Sequence, residues 1–393
     1  MDLARRNVLV LSTCQALSMG GMVILTTVVA LAGQVLADDD SLATVPLALQ
    51  LTANMLMAIP ASLLMARIGR RAGFTLGQFL GIIGGALGVY TLLYAKSFGL
   101  LCAAGLLLGA HNAFWQFYRF AAVDTADEGY RSRAISYVLA GGVVAALIAP
   151  EIAKRTVDMF EPILFAGAYV SFIALCVINI IVLQFLRIPR PPANWHFTGG
   201  RPLVEIIRQP TFLVAVLSAM VGYALMVLVM TATPLSMVAC GFAFTDAAFV
   251  IQWHAFAMFA PGFFTGHLIR KFGVTAVIMA GCLLYLVAMA INLSGIEIGN
   301  FWFGLVVVGL GWNFTFVGGT TLLTEVYRPE EKAKVQAVND FFVFGTSAVA
   351  SFSSGALQHL LGWEAVNLAV IAPALIVFVA AFWLRRQRHT HTA

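Results

Sequence analysis

Apolar stretches long enough to cross a bilayer recur along this chain, separated by short polar interruptions. That rhythm predicts twelve helices, at about 8–35, 43–66, 73–94, 99–123, 134–153, 161–186, 209–238, 245–269, 274–296, 300–324, 335–358 and 364–384. A run of about 20 apolar residues spans about 30 Å of hydrocarbon. Lipid offers the backbone no hydrogen-bond partners, so such runs are expected to be helical. The longest break, 187–208, holds Pro189, Pro191, Pro192, Gly199, Gly200 and Pro202. It reads as a cytoplasmic linker between a six-helix bundle over 1–186 and a second over 209–393, which ends in a short tail. The expected fold class is all-α integral membrane, with twelve transmembrane helices in two pseudo-symmetric halves.

Composition agrees with a bilayer as solvent. Of 393 residues, 61% are hydrophobic and 10% charged, too few charges to cover a soluble protein of this size. The net charge of +5 does not point to nucleic acid, because the basic residues fall in short clusters between apolar runs. Of the 23 Lys and Arg, 19 fall on one side of the predicted bilayer. The other side receives Lys96, Lys154 and Arg155, and Arg119 lies within the fourth span. By the positive-inside rule both termini are cytoplasmic. The first helix follows Met1–Arg6 without a small-residue cleavage site and is expected to be retained. The five cysteines form no CxxC pair and no zinc spacing. No nucleophile–base pattern or nucleotide-binding loop is present in the sequence, so an enzyme is not expected.

The two halves echo each other. Ala66-Arg67-Ile68-Gly69 after the second span corresponds to Arg270-Lys271-Phe272-Gly273 after the eighth, an offset of 204. His111-Asn112 and Trp312-Asn313 correspond at an offset of 201, as do Asp124 and Glu325 at the ends of the fourth and tenth spans. A basic glycine turn after the second helix of each half, with an acid closing the fourth, resembles the major facilitator superfamily. Ser62 and Ala66 depart from that family's first-loop pattern. The resemblance implies parallel halves related by an axis along the membrane normal and a cargo site near the midplane.

Candidate chemistry lies on the seventh and eighth spans, which carry Met226-Val-Leu-Val-Met230 and His254-Ala-Phe-Ala-Met258. Residues four apart share a helix face, and antiparallel helices pair Met226 with Met258 and Met230 with His254 in depth. Thioethers select Cu(I), and imidazole suits copper in either oxidation state. Fourteen methionines in 393 residues give roughly 0.5 Met–xxx–Met pairs by chance, and Met also fills irregular helix contacts. His254 is an ionisable residue deep in a span and marks a functional hypothesis. The residues themselves leave three readings open: a metal site, a proton-relay histidine, or packing.

The two motifs together, in a twelve-helix chain of this size, resemble the CcoA-like copper importers. That resemblance implies a copper importer of the bacterial inner membrane, working by alternating access, with copper as transported substrate and no resident cofactor. It assigns the metal to Met226, Met230, His254 and Met258. It also implies a periplasmic copper donor, a cytoplasmic copper acceptor and supply of cbb3-type cytochrome oxidase assembly. Cys240 and Met237, at the outer end of the seventh span, are secondary candidates for metal or redox contacts. Gln50 and Asn54, which correspond to His254 and Met258 at the offset of 204, are candidate cavity lining together with Arg119. Import of riboflavin or another small organic solute is the alternative, lined by Arg119, Gln50, Asn54, Trp115, Phe117 and Tyr118. A non-transporting receptor or oxidase-assembly partner is the rival of a different class.

Overall fold

The computed structural model describes residues 2–37, 45–156, 158–161, 163–189 and 200–390. Residues 43 and 44 of the second predicted span, 162 of the sixth, and 190–199 of the predicted linker lie outside them. Every regular element among the described residues is helical. The chain separates into two compact units, Met1–Asp127 with Tyr137–Phe197, and Glu128–Ser136 with Thr198–Ala393.

The first unit contains α1 (Leu3–Leu36), α2 (Val45–Ile68), α3 (Arg70–Tyr90), α4 (Phe98–Trp115), the short α5 (Tyr118–Ala121), α7 (Gly142–Thr156) and α8 (Ala166–Leu183). Between α5 and α7 runs α6 (Arg131–Ala140), whose residues through Ser136 group with the second unit. The second unit adds α9 (Leu203–Ile207), α10 (Pro210–Ala239), α11 (Phe244–Phe259), α12 (Gly262–Phe272), α13 (Val274–Leu293), α14 (Ile298–Leu323) and α15 (Lys332–Thr390). A left-handed Gly362 (φ 81) breaks α15, between the last two predicted spans.

Among the described residues ten helices are long and apolar enough to cross a membrane, or eleven when a bent pair counts as one crossing. The bent pair is α11 with α12, which meet at 42°. Pro261 causes the break: it lacks an N–H and its ring crowds the preceding turn. The predicted span 335–358 is helical, within α15, but Asn339, Asp340, Ser347, Ser351, Ser353 and Ser354 dilute its hydropathy.

The internal repeat is visible in backbone geometry. Gly69 and Gly273 both adopt positive φ, 88 and 86, with ψ of 160 and 152, a conformation that L side chains resist. Gly109 of α4 lies against the Gln50 carbonyl of α2, and Gly309 of α14 lies against the His254 carbonyl of α11. Small residues at these crossings let two backbones approach closely. The repeat diverges in its ion pairs. Asp124 accepts from Arg70 Nε at 3.1 Å, whereas the position matching Arg70 is Val274. Glu325 instead pairs with Arg388, at 2.8 Å.

Candidate functional site

The break at Pro261 leaves carbonyls at the end of α11 in need of donors. Asn313 of α14 supplies one: its Nδ2 donates to the Met258 carbonyl at 2.7 Å, and its Oδ1 accepts the Thr265 hydroxyl at 2.6 Å. This fixes the face of α14 that carries Trp312 against the end of α11.

Around Trp312 five rings from four helices converge. Trp312 and Phe316, one turn apart on α14, are stacked with centroids 5.1 Å apart and planes 17° apart. Phe259 from the end of α11 meets the indole edge-on at 5.4 Å. Tyr223 of α10 is edge-on to Trp312 at 5.6 Å, to Phe316 at 5.2 Å and to Phe344 of α15 at 5.6 Å. Edge-to-face and offset arrangements are those the ring quadrupoles favour. Phe259, Trp312, Phe316 and Phe344 are buried, and Tyr223 is half-buried.

Two polar groups on this face lack partners among the described residues. The Trp312 indole N–H has no acceptor although the residue is only 2% exposed. The Thr320 hydroxyl, two turns along the same face of α14, is fully buried without one. The two groups are about 12 Å apart along the helix axis. A buried donor left unsatisfied costs about 1–3 kcal/mol. The cluster therefore holds two buried donors whose needs an acceptor on a bound molecule would meet. Asp340 of α15, also fully buried, accepts from Asn339 Nδ2 at 2.8 Å.

Of the residues singled out in the sequence, Met258 adjoins Phe259 at the edge of this cluster, its carbonyl held by Asn313. His254 is fully buried, and its Nδ1 is 2.7 Å from the Leu305 carbonyl of α14. Met258 and Met226 are buried and Met230 is half-buried. The His254–Met258 face of α11 is turned onto α14, where Gly309 meets the His254 carbonyl and the Met258 backbone nitrogen. The principal neighbours of α10 are α14 and α15. Met237 is fully buried, and Cys240 is exposed at the C-cap of α10.

In the first unit, Gln50 and Asn54 are buried in α2, with Oε1 and Oδ1 lacking partners among the described residues. Arg119 donates to the Gln116 carbonyl at 2.7 Å and lies over the Phe120 ring at 4.5 Å. Trp115 donates to Asn112 Oδ1 at 3.1 Å. Tyr118 joins a buried network in which Gln78 Nε2 donates to Tyr118 and Ser18, and Asn179 donates to Ser18. Phe117 is fully buried.

Sequence reasoning did not assemble the ring cluster of the second unit. The one local signal was Trp312 followed at i+4 by Phe316. The other three rings come from distant stretches, and only the packing of α10, α11 and α15 on α14 gathers them.

The family model described as Major Facilitator Superfamily matches residues 11–291 and 228–393. The chain is 40% identical to the riboflavin transporter RfnT of Brucella anthropi, over 96% of this chain and 95% of that protein. It is 28% identical to the uncharacterized MFS-type transporter YddS of Bacillus subtilis, over 92% of this chain and 86% of that one. Among solved structures, the human organic anion transporter TETRAN is similar with a TM-score of 0.78 at 13% identity, covering 97% of this chain and 100% of that one. The E. coli fucose:proton symporter FucP is similar with a TM-score of 0.76 at 15% identity, covering 97% and 99%. At those identities the two structures speak to the fold alone.

These findings overturn the copper reading. The full-length relative at 40% identity is a riboflavin transporter, not a CcoA-like copper importer. Copper as cargo, the copper donor and acceptor proteins and the tie to cytochrome oxidase assembly fall with that reading. Spacing places Met and His on common faces, but it does not say which neighbour those faces meet. On α11 the main neighbour is α14; the imidazole meets the Leu305 carbonyl through Nδ1, and its Nε2 is buried without a partner among the described residues.

Proposed function

This chain belongs to the major facilitator superfamily, and from that premise we propose that it imports riboflavin, or a small organic solute with a similar flat ring system, and is not an enzyme. The observation that carries the reading is the 40% identity to a riboflavin transporter along nearly the whole of both chains. The ring cluster of the second unit supports it. An isoalloxazine is planar and aromatic, with carbonyl oxygens and ring nitrogens at its edge that accept hydrogen bonds. The half-buried Tyr223 offers ring surface, backed by the buried Trp312–Phe316 stack. The Trp312 N–H and Thr320 O–H offer donors along one helix face. Ring-on-ring contact of this kind is worth about 1–3 kcal/mol per stacked base in nucleic-acid sites.

The protein is a multi-pass membrane protein. Its proposed setting is the bacterial inner membrane with both termini in the cytoplasm, supported by the clustering of Lys and Arg on one side. Net entry of riboflavin into proteoliposomes containing only the purified protein tests the function. Uptake that saturates with riboflavin and is unaffected by copper is expected. Absence of riboflavin flux from protein shown to be folded and inserted overturns the proposal.

A further inference from the structure

At the membrane end that carries most of the Lys and Arg, the second unit has a groove of about 320 Å³. Leu268 and Phe272 of α12, Ala276 and Ala280 of α13, and Phe314 of α14 form its walls, and Arg385 of α15 lies at its edge. The two alanines are one turn apart, and the absence of larger side chains there opens the floor. Phe272 is exposed, and Leu268, Ala276, Ala280 and Phe314 are half-buried. In a multi-pass membrane protein such apolar, partly uncovered walls meet acyl chains.

The charge at the rim gives the groove its chemistry. Arg385 is exposed and has no ion-pair or hydrogen-bond partner among the described residues. Its neighbours are engaged: Arg388 pairs with Glu325 at 2.8 Å, and Arg386 lies over the Phe382 ring at 4.6 Å. Arg270 and Lys271, both exposed, close the last turn of α12 beside Phe272. A cation left free at the mouth of an apolar groove at this depth complements a lipid phosphate.

We propose that this groove holds an acyl chain of an anionic phospholipid, with its headgroup on Arg385 and assisted by Arg270 and Lys271. Burying the chain brings no hydrophobic gain over the bilayer, because hydrocarbon surrounds the groove in either case. Selection among lipids therefore rests on the headgroup, and one basic side chain near an anionic lipid is worth roughly five-fold in affinity. The inference depends on membrane insertion alone and stands whatever the cargo is.

The test is native mass spectrometry of the full-length protein, delipidated in detergent and titrated with dioleoyl phosphatidylglycerol or dioleoyl phosphatidylcholine. Tighter binding of the anionic lipid, by roughly five-fold or more, is expected. Arg385→Gln should remove most of that preference, and Arg155→Gln, on the opposite membrane side, should leave it intact. Ala280→Trp fills the groove with every charge in place and should reduce the anionic preference, because a chain that no longer seats there does not bring its headgroup to Arg385. Equal affinity for the two lipids, or wild-type binding by both Arg385→Gln and Ala280→Trp, overturns the proposal.

Discussion

Replacing Trp312 with Phe separates what the indole N–H does for the fold from what it does for cargo. The N–H is buried and lacks an acceptor among the described residues, so deleting it relieves a penalty of about 1–3 kcal/mol. The smaller ring leaves about 40 Å³ unfilled, which at about 24 cal/mol per Å³ costs about 1 kcal/mol on top of the transfer free energy of the lost atoms, about 1–2 kcal/mol in all. The two effects nearly cancel or slightly favour the variant, and the Tm should stay within about 3 °C of wild type or rise. The stack on Phe316 survives because a six-membered ring remains. A neutral hydrogen bond to cargo contributes about 0.5–1.5 kcal/mol, so the KM for riboflavin should rise about 2- to 12-fold. Uptake of radiolabelled riboflavin into proteoliposomes and thermal unfolding of the same preparation give both quantities. A variant with a clearly lower Tm and unchanged KM refutes the reasoning, since it would mean that the N–H serves the fold and never meets cargo.

Tyr223→Ala removes the half-buried ring that meets three others and should raise the riboflavin KM by 5-fold or more, from about 1–3 kcal/mol of lost ring contact; Tyr223→Phe should stay near wild type, as uptake measurements on the pair would check. Glu331 is buried and receives Arg201 through Nε at 2.9 Å and Nη2 at 2.7 Å, and the Arg328 backbone N–H at 3.0 Å. The hydrogen bonds from Arg201, foremost, hold its carboxyl at about 2, below the ordinary 4.5. The ion pair therefore stabilises fully above about pH 4.5 and loses its effect as pH falls from there towards 2. The Tm gap between wild type and Glu331→Gln should be constant from pH 7 to 5 and shrink below that. His254→Ala loses the contact with Leu305 and opens a cavity, a cost of about 2–4 kcal/mol. Protein that survives should keep a riboflavin KM within two-fold of wild type, and a large KM increase at unchanged Tm would count against this.

The sequence carried the fold further than the site. Bilayer crossings are legible because hydrocarbon imposes a length and an apolarity that each segment must meet alone. The glycine turns are legible because one conformation needs one residue type, and Gly69 and Gly273 share it to within a few degrees. The span over 245–269 looked continuous by hydropathy, which is blind to the backbone chemistry of Pro261 that bends it by 42°. The span over 335–358 is legible as an apolar stretch, although its polar residues leave it less apolar than the ten strongest crossings among the described residues. The ring cluster was not legible. Tyr223, Phe259, Trp312 and Phe344 are far apart in sequence, and each alone reads as ordinary core.

The repeat itself held a clue to how His254 packs. In the first unit Gln50 of α2 brings its carbonyl against Gly109 of α4, and in the second His254 of α11 does the same against Gly309 of α14. Gln50 and His254 are the pair that the offset of 204 relates. A position that backs onto a glycine of the fourth helix in both halves is fixed first by that crossing, whatever side chain it bears. Its side chain must then find partners within the same packed layer, as the imidazole does at Leu305. Spacing of His and Met along one helix reports a shared face. The small residue on the facing helix decides which neighbour that face meets, and both halves place one at this crossing, Gly109 and Gly309, 200 residues apart rather than 201. For a chain of this architecture, a glycine at a helix crossing therefore constrains side-chain direction more strongly than ligand-like spacing does.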